Sequence, residues 1–174
     1  MNLLFTNAGR RTYIIDYALK LKKKINVYIT ETEKYTPVAL HNKVRKFFTI
    51  KVADGPNKYL KQILNIVLKN KIKTIIPLSD HDLVILAKNK NFFAKFGCDV
   101  IVSDLATVKN CVNKKLMYKH CIQNKINTPK SFFSKKTIIE NKNSLIKKKI
   151  KGSGGVDMEL IKNEGDLNKI NFKK

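Results

Sequence analysis

The chain of 174 residues has few cysteines, few acidic side chains and no long apolar run. Its three cysteines, Cys98, Cys111 and Cys121, form no CxxC pair, and an odd number leaves one unpaired in any disulfide scheme. This excludes a disulfide-stapled scaffold and predicts reduced thiols, mostly core residues, in a cytoplasmic protein. No stretch reaches the ~18 apolar residues of a membrane helix, and the opening MNLLFTNAGRR is too short in apolar residues for a secretory signal. A soluble protein with no membrane partner is expected.

Acidic residues number 13 against 36 lysines and arginines, for a formal charge of +23. A nucleic-acid or membrane surface requires such charge to be gathered on one face. Here lysine is spread through almost every segment beside abundant Asn and Ile, as an AT-rich coding bias produces, and no nucleic-acid reader motif accompanies it. Anionic ligands such as nucleotides are still attracted.

Two phosphate-binding signatures are also missing. There is no GxGxxG, because Asn7-Ala8-Gly9 offers one glycine where three are needed, and no GxxxxGK[ST] between a strand and a helix. His81 has no second histidine at a ligand spacing, so no metal site is expected there.

What is present is an alternating α/β pattern. Leu3-Leu4-Phe5 reads as a buried parallel strand, and Ile14, Tyr17, Ala18 and Leu21 as a helix face, with the lysines at 22–24 at its C-terminus. Ile25, Val27 and Ile29 form a second strand, and Phe47, Phe48 and Ile50 a third. Asp54-Gly55-Pro56-Asn57 opens a helix through Leu60, Ile63, Leu64, Val67 and Leu68. Thr74–Pro77 is a fourth strand, Leu83, Leu86 and Ala87 lie on a further helix, and Val100–Val102 form a fifth strand. The expected fold is α/β: a Rossmann-like parallel sheet over 1–104, then a small α+β lobe over 105–174. That lobe has helices through Leu105–Cys111 and Leu116–Cys121, a strand at Ser131–Phe133, and a hairpin of strands at 145–150 and 156–161 joined by a glycine turn.

Three constellations carry candidate chemistry. Asn7, Gly9, Arg10 and Arg11 end the first strand, where backbone N–H groups and guanidinium groups can hold an anionic substrate; otherwise this is a strand-to-helix turn with solvated arginines. Asp80 and Asp82 follow the fourth strand as substrate contacts, or simply as a cap (Asp80) and a first-turn carboxylate (Asp82) of the next helix. Lys147–Lys151 leads into Gly152-Ser153-Gly154-Gly155, where converging N–H groups and a lysine suit phosphates, or an ordinary mobile hairpin.

Taken in order, LLFTNAGRR, VALHNKVRKFF, TIIPLSDHDLVILAKNKNFFAKFG and VSDLATVKNCVNKKLMYKHCIQNKINTPKSFF resemble the ATP-grasp superfamily, in particular its carbamoyl-phosphate-synthase-like proteins, across nearly the whole chain. The resemblance implies a pre-ATP-grasp domain over 1–104 and the N-terminal part of a nucleotide-binding lobe over 105–174. It further implies ATP as ligand, with Lys115 and Lys149 as its two lysines and Gly152, Ser153, Gly154 and Gly155 over the phosphates. Lys114 replaces the family's Asp, and Ile150 its usual Pro. Mg2+ belongs to the intact family, but Asp157, Glu159, Glu164 and Asp166 cannot stand in for its ligands. A truncated or split ligase is therefore expected, with a second polypeptide supplying the rest of the lobe, or a homodimer. The alternatives are a Rossmann-type dinucleotide-binding protein with Glu31 as its ribose-binding acid, a basic nucleic-acid-binding module, and a folded remnant serving as a subunit interface.

Overall fold

A strand buried on both faces needs apolar side chains on both, and Leu3–Phe5 forms the centre of such a strand, β1 (Asn2–Thr6). Around it β2 (Asn26–Glu31), β3 (Lys46–Thr49), β4 (Thr74–Pro77) and β5 (Asp99–Val100) complete a five-stranded sheet in the order β3-β2-β1-β4-β5. Every neighbouring pair is parallel. Thr6 lies opposite Thr30 on one side and Pro77 on the other, so the carboxyl ends of β1, β2 and β4 finish level. Strand order reverses between β1 and β4, the place where open α/β sheets leave a crevice.

The computed structural model describes residues 1–21, 24–138, 144–152, 154, 155 and 157–170. They divide into two units, Met1–Val108 and Lys109–Lys174. Lys22 and Lys23 of the expected helix end, Ser153 of the glycine turn and Val156 of the last expected strand lie outside the described residues. No described helix is long and apolar enough to cross a membrane.

In the first unit, helices cover both faces of the sheet, as the α/β reading requires. On one face α1 (Thr12–Lys20) packs Ile15 and Ala18 onto Leu3, Phe5, Val27 and Ile29. On the other, α2 (Pro56–Lys69), α3 (Asp80–Lys88) and α4 (Lys90–Ala94) bring Tyr59, Ile63, Leu86 and Phe93 against Leu4, Tyr28 and Ile75. The inward face of α1 differs from the expected one. Tyr17 and Leu21 are 64% and 58% exposed, whereas Ile15 is fully buried. Adjacent stripes of a helix differ by one residue, and here the branched Ile15 takes the sheet while Tyr17 keeps its hydroxyl in water, its ring against Tyr13 and under the Lys20 ammonium.

The second unit is smaller. The division after Val108 falls inside α5 (Leu105–Cys111), a few residues beyond the boundary read from the sequence. Asp104 accepts the Thr107 N–H at the head of α5, at 2.9 Å. Then come α6 (Lys114–Gln123), the antiparallel hairpin β6 (Leu145–Lys147) and β7 (Glu159–Ile161), and α7 (Glu164–Asn168). Ile138, Ile161 and Leu167 form its core. The strand expected at Ser131–Phe133 is irregular backbone: Phe132 packs against that core and Phe133 against Tyr118, so packing, not a ladder, occupies both rings.

A buried carboxylate ties the first unit together. Asp82, in the first turn of α3, has no exposed surface, and its Oδ2 accepts from Asn7 Nδ2 at 2.9 Å and from the Tyr59 hydroxyl at 2.8 Å. Asn7 has φ +52 and donates its backbone N–H to the Thr30 carbonyl at 2.8 Å. Among the described residues Asp82 Oδ1 and the hydroxyls of Thr6 and Thr30 have no partner. Burial raises the Asp82 carboxyl above its ordinary value, outweighing the lowering by the Tyr59 and Asn7 donors. The Tyr59 phenol is pushed up by burial and by the Asp82 charge, which keeps it a donor.

Two predictions test this packing. Ile15→Ala should lower unfolding free energy by about 2–5 kcal/mol in urea titrations, whereas Leu21→Ala, on the exposed side, should change it by less than about 0.5 kcal/mol. Asp82 tests the buried charge. A carboxyl whose folded pKa lies above its unfolded value contributes stability that is complete below the ordinary aspartate value of 3.8 and is lost as pH rises through the raised value. Glu31 and Tyr59 are the titratable groups facing it. Asp82→Asn keeps an acceptor for Asn7 and Tyr59 without the charge, so the variant should gain on the parent from about pH 4 toward neutrality. Parallel stability curves for the two proteins would remove the buried-charge cost.

Candidate functional site

A cleft of about 400 Å³ opens at the β1/β4 switch point, lined by Asn7, Glu31, Thr32, Val52, Ser79 and His81. Its walls are the residues that follow the level strand ends, which is why parts distant in sequence meet there. At Gly9 the backbone has φ +63, and its N–H donates to Glu31 Oε1 at 2.6 Å. Glu31 ends β2 and is only 4% exposed. Burial raises its carboxyl, the Gly9 and Ala8 N–H groups oppose the rise, and weaker Asp82 and Arg11 charges act in opposite directions.

The residues singled out from the sequence separate in space. Asn7 lines the cleft, and Gly9 reaches it only through the N–H it donates to Glu31. Arg10 and Arg11 are exposed, and Arg11 Nη1 turns back to the Ala8 carbonyl at 3.3 Å. Asp80 is exposed on the first turn of α3; the cap expected from it is supplied by Ser79, the last extended residue, whose hydroxyl accepts the His81 N–H at 3.4 Å. Asp82 points inward to Asn7 and Tyr59. From the sequence alone Glu31 is expected only as a ribose-binding acid. Its place one residue beyond Thr30, the register partner of Thr6, brings it onto the β1–α1 turn.

In the second unit, the Asn113 side chain accepts the N–H groups of Lys115 and Leu116 at 3.0 and 3.1 Å and starts α6. Lys114 donates its backbone N–H to the Ile150 carbonyl at 2.9 Å and its ammonium to the Gly152 carbonyl at 2.8 Å, fastening the helix to the glycine turn. The Lys115 ammonium lies over the Phe133 ring, 5.7 Å from its centroid. Gly152, Gly154 and Gly155 have φ of +135, +70 and +74, which side chains resist. Lys147 pairs with Glu159 at 2.8 Å, and Lys149 pairs with Asp157. Among the described residues no three His, Cys, Asp or Glu side chains gather as a metal site. The two carboxylates beside the glycine turn are taken up by lysines, so these residues do not fit Mg2+.

With this geometry, the likeness to known proteins can be placed. Residues 3–101 match the family model described as PylC-like, N-terminal domain. No curated protein matches the chain. Among solved structures, the L-amino acid ligase from Bacillus licheniformis superposes with a TM-score of 0.66 at 16% identity, covering 95% of this chain and 40% of that one. The biotin carboxylase domain dimer of Hydrogenobacter thermophilus 2-oxoglutarate carboxylase, in complex with MgADP, ADP and bicarbonate, gives 0.65 at 17% identity, covering 96% and 38%. N5-carboxyaminoimidazole ribonucleotide synthetase from Thermotoga maritima gives 0.62 at 14%, covering 98% and 43%. At such identities the likeness is one of fold, and the chain spans about 40% of the length of each. Because the family match takes in more than half of the chain and its strands are those of the parallel sheet, the chain belongs to the family described as PylC-like, N-terminal domain.

Proposed function

We propose that this chain is the front part of an ATP-grasp ligase of the carbamoyl-phosphate-synthase-like kind. In this reading residues 1–104 form the pre-ATP-grasp domain and present a substrate cleft. Residues 105–174 begin the nucleotide lobe and supply Lys115, Lys149 and the turn from Gly152 to Gly155 to ATP. One observation carries the reading: a PylC-like domain runs on into a hairpin whose turn holds three positive-φ glycines beside Lys149. Glycines allow backbone N–H groups to approach phosphate oxygens, and each ammonium adds counter-charge where phosphoryl transfer builds it up.

The chemistry proposed for the whole ligase has two balanced steps. A substrate carboxylate oxygen attacks the γ-phosphorus of ATP and ADP departs, leaving an acylphosphate. An amine nitrogen then attacks the acyl carbon, inorganic phosphate leaves with the C–O bond electrons, and the amine proton passes to base or solvent. This chain's part is to bind and orient. Mg2+, present with ADP in the Hydrogenobacter structure, finds no ligand set among the described residues. The rest of the lobe, on a continuation of the chain or on a second polypeptide, would supply it, and assembly as a homodimer belongs to the same proposal. A cytoplasmic setting suits the free thiols, of which Cys98 is buried and pushed up to about 11 by that burial.

Calorimetry and thermal melting test the nucleotide half. ATP should raise the melting temperature, equivalent to about 2.7 kcal/mol when nucleotide is in hundredfold excess over Kd. Lys115→Ala and Lys149→Ala should each weaken ATP binding by roughly tenfold, the loss of one charge-assisted contact at an exposed site. Asp157→Asn, which frees the Lys149 ammonium, should tighten it. No thermal or calorimetric response to millimolar ATP would remove the claim of nucleotide binding.

A further inference from the structure

The β1–α1 turn is built as an anion site, yet the chain fills it with its own anion. Gly9 lies in the left-handed region, and its N–H points to Glu31 Oε1 at 2.6 Å, with the Ala8 N–H also lowering that carboxyl. These are the backbone donors that a ligand phosphate would use at the start of the nine-residue helix α1. Arg10 and Arg11, the side chains that would assist a phosphate, are exposed, and Arg11 is turned to the Ala8 carbonyl. The cleft therefore meets a visitor with a carboxylate that is almost wholly buried, anchored at the turn and flanked by the polar side chains of Asn7, Thr32, Ser79 and His81.

From this the geometry points to Glu31 as the specificity-determining residue of the first-unit cleft: it selects a ligand presenting a hydrogen-bond donor, an ammonium or a hydroxyl group, and excludes a phosphate. The inference rests on the reading of this cleft as a substrate site and adds the chemistry of what enters it. Burial has already cost the carboxylate most of its hydration, and a donor from the ligand restores what water supplied. A phosphate entering the same place would bring two like charges together in a partly dry cleft and would find the Gly9 N–H already committed. The same occupation disfavours a dinucleotide, whose pyrophosphate needs that turn free.

The experiment uses the full chain, 15N-labelled, with three probes of similar size: L-alaninamide as an ammonium donor, lactamide as a hydroxyl donor, and inorganic phosphate. Saturable shifts of the Gly9, Thr32 and His81 amides with either donor, and none with phosphate, are expected. Response to alaninamide alone assigns an ammonium, to lactamide alone a hydroxyl. Glu31→Gln should weaken the responding donor at least fivefold, and Glu31→Ala should uncover the Gly9 N–H and produce a phosphate-dependent shift there. Phosphate shifting Gly9 in the parent protein, neither donor shifting these amides, or unchanged donor affinity in Glu31→Gln would each overturn the assignment. ATP binding is read separately at Gly152 and Gly154, so failure of the nucleotide proposal leaves this titration intact, and the reverse.

Discussion

The geometry of the first unit depends on one hydrogen-bonded carboxylate. Asp82 Oδ2 receives Asn7 from the end of β1 and Tyr59 from α2, while Asp82 itself starts α3. Three elements that are far apart in sequence are fixed relative to one another at a single oxygen. Asn7 can take its left-handed backbone because asparagine tolerates that region, and its side chain is then held from below while its N–H closes onto the Thr30 carbonyl. The direction of the chain through Ala8 and Gly9 is set at that point, and with it the aim of the Gly9 N–H at Glu31. In the proposed role the placing of Glu31 thus depends on Asp82, a carboxylate that does not need to touch the ligand.

Such a device costs stability. Burial raises both the Asp82 and the Glu31 carboxyls, and the Asp82 charge raises Glu31 further. Two half-satisfied acids, one ending β2 and one in the first turn of α3, are a poor choice for a fold that needs only a core. The apolar contacts of Leu4, Ile29, Ile63, Ile75 and Phe93 supply the compensating burial on both faces of the sheet. Polar residues concentrated at the strand ends, with an apolar sheet behind them, are the arrangement of a binding edge on a rigid scaffold.

Much of this was legible in the sequence because buried parallel strands are written as short continuous apolar runs. Leu3–Phe5, Val27–Ile29 and Thr74–Pro77 all read that way, and the alternation with helices implied the parallel sheet. What was less legible has a common cause: the residues concerned act through partners distant in sequence. Tyr59 fell outside the aliphatic stripe of α2, yet its hydroxyl reaches Asp82. Periodicity alone favours Tyr17 over Ile15, because only the sheet surface decides which stripe turns inward. Glu31 had no local pattern to mark it as part of the turn; the parallel register of β1 and β2 brings it there. Short helices such as α4 and α7 carry too few turns to display a period.

The second unit shows the same internal occupation in a weaker, exposed form. Lys147 and Glu159 face each other across the hairpin, and Lys149 and Asp157 pair nearer its turn. Cross-strand pairs of this kind add little to stability when solvated, but they decide what a lysine does while no ligand is present. A phosphate arriving at Lys149 exchanges one anion for another, so nucleotide affinity in the proposed role is the difference between two ion pairs. That difference is set partly by geometry: in the proposed role phosphate gains the glycine-turn N–H groups as well as the ammonium, whereas Asp157 pairs with the ammonium. Both units thus carry an acidic side chain at the place where their sequence offers an anion site. In the first the acid is buried and held by backbone donors, which favours its staying; in the second it is exposed and held by a single flexible ammonium, which favours exchange. In the two proposed roles, burial of the resident carboxylate, more than the number of nearby positive charges, separates a cleft that would reject phosphate from a turn that would admit it.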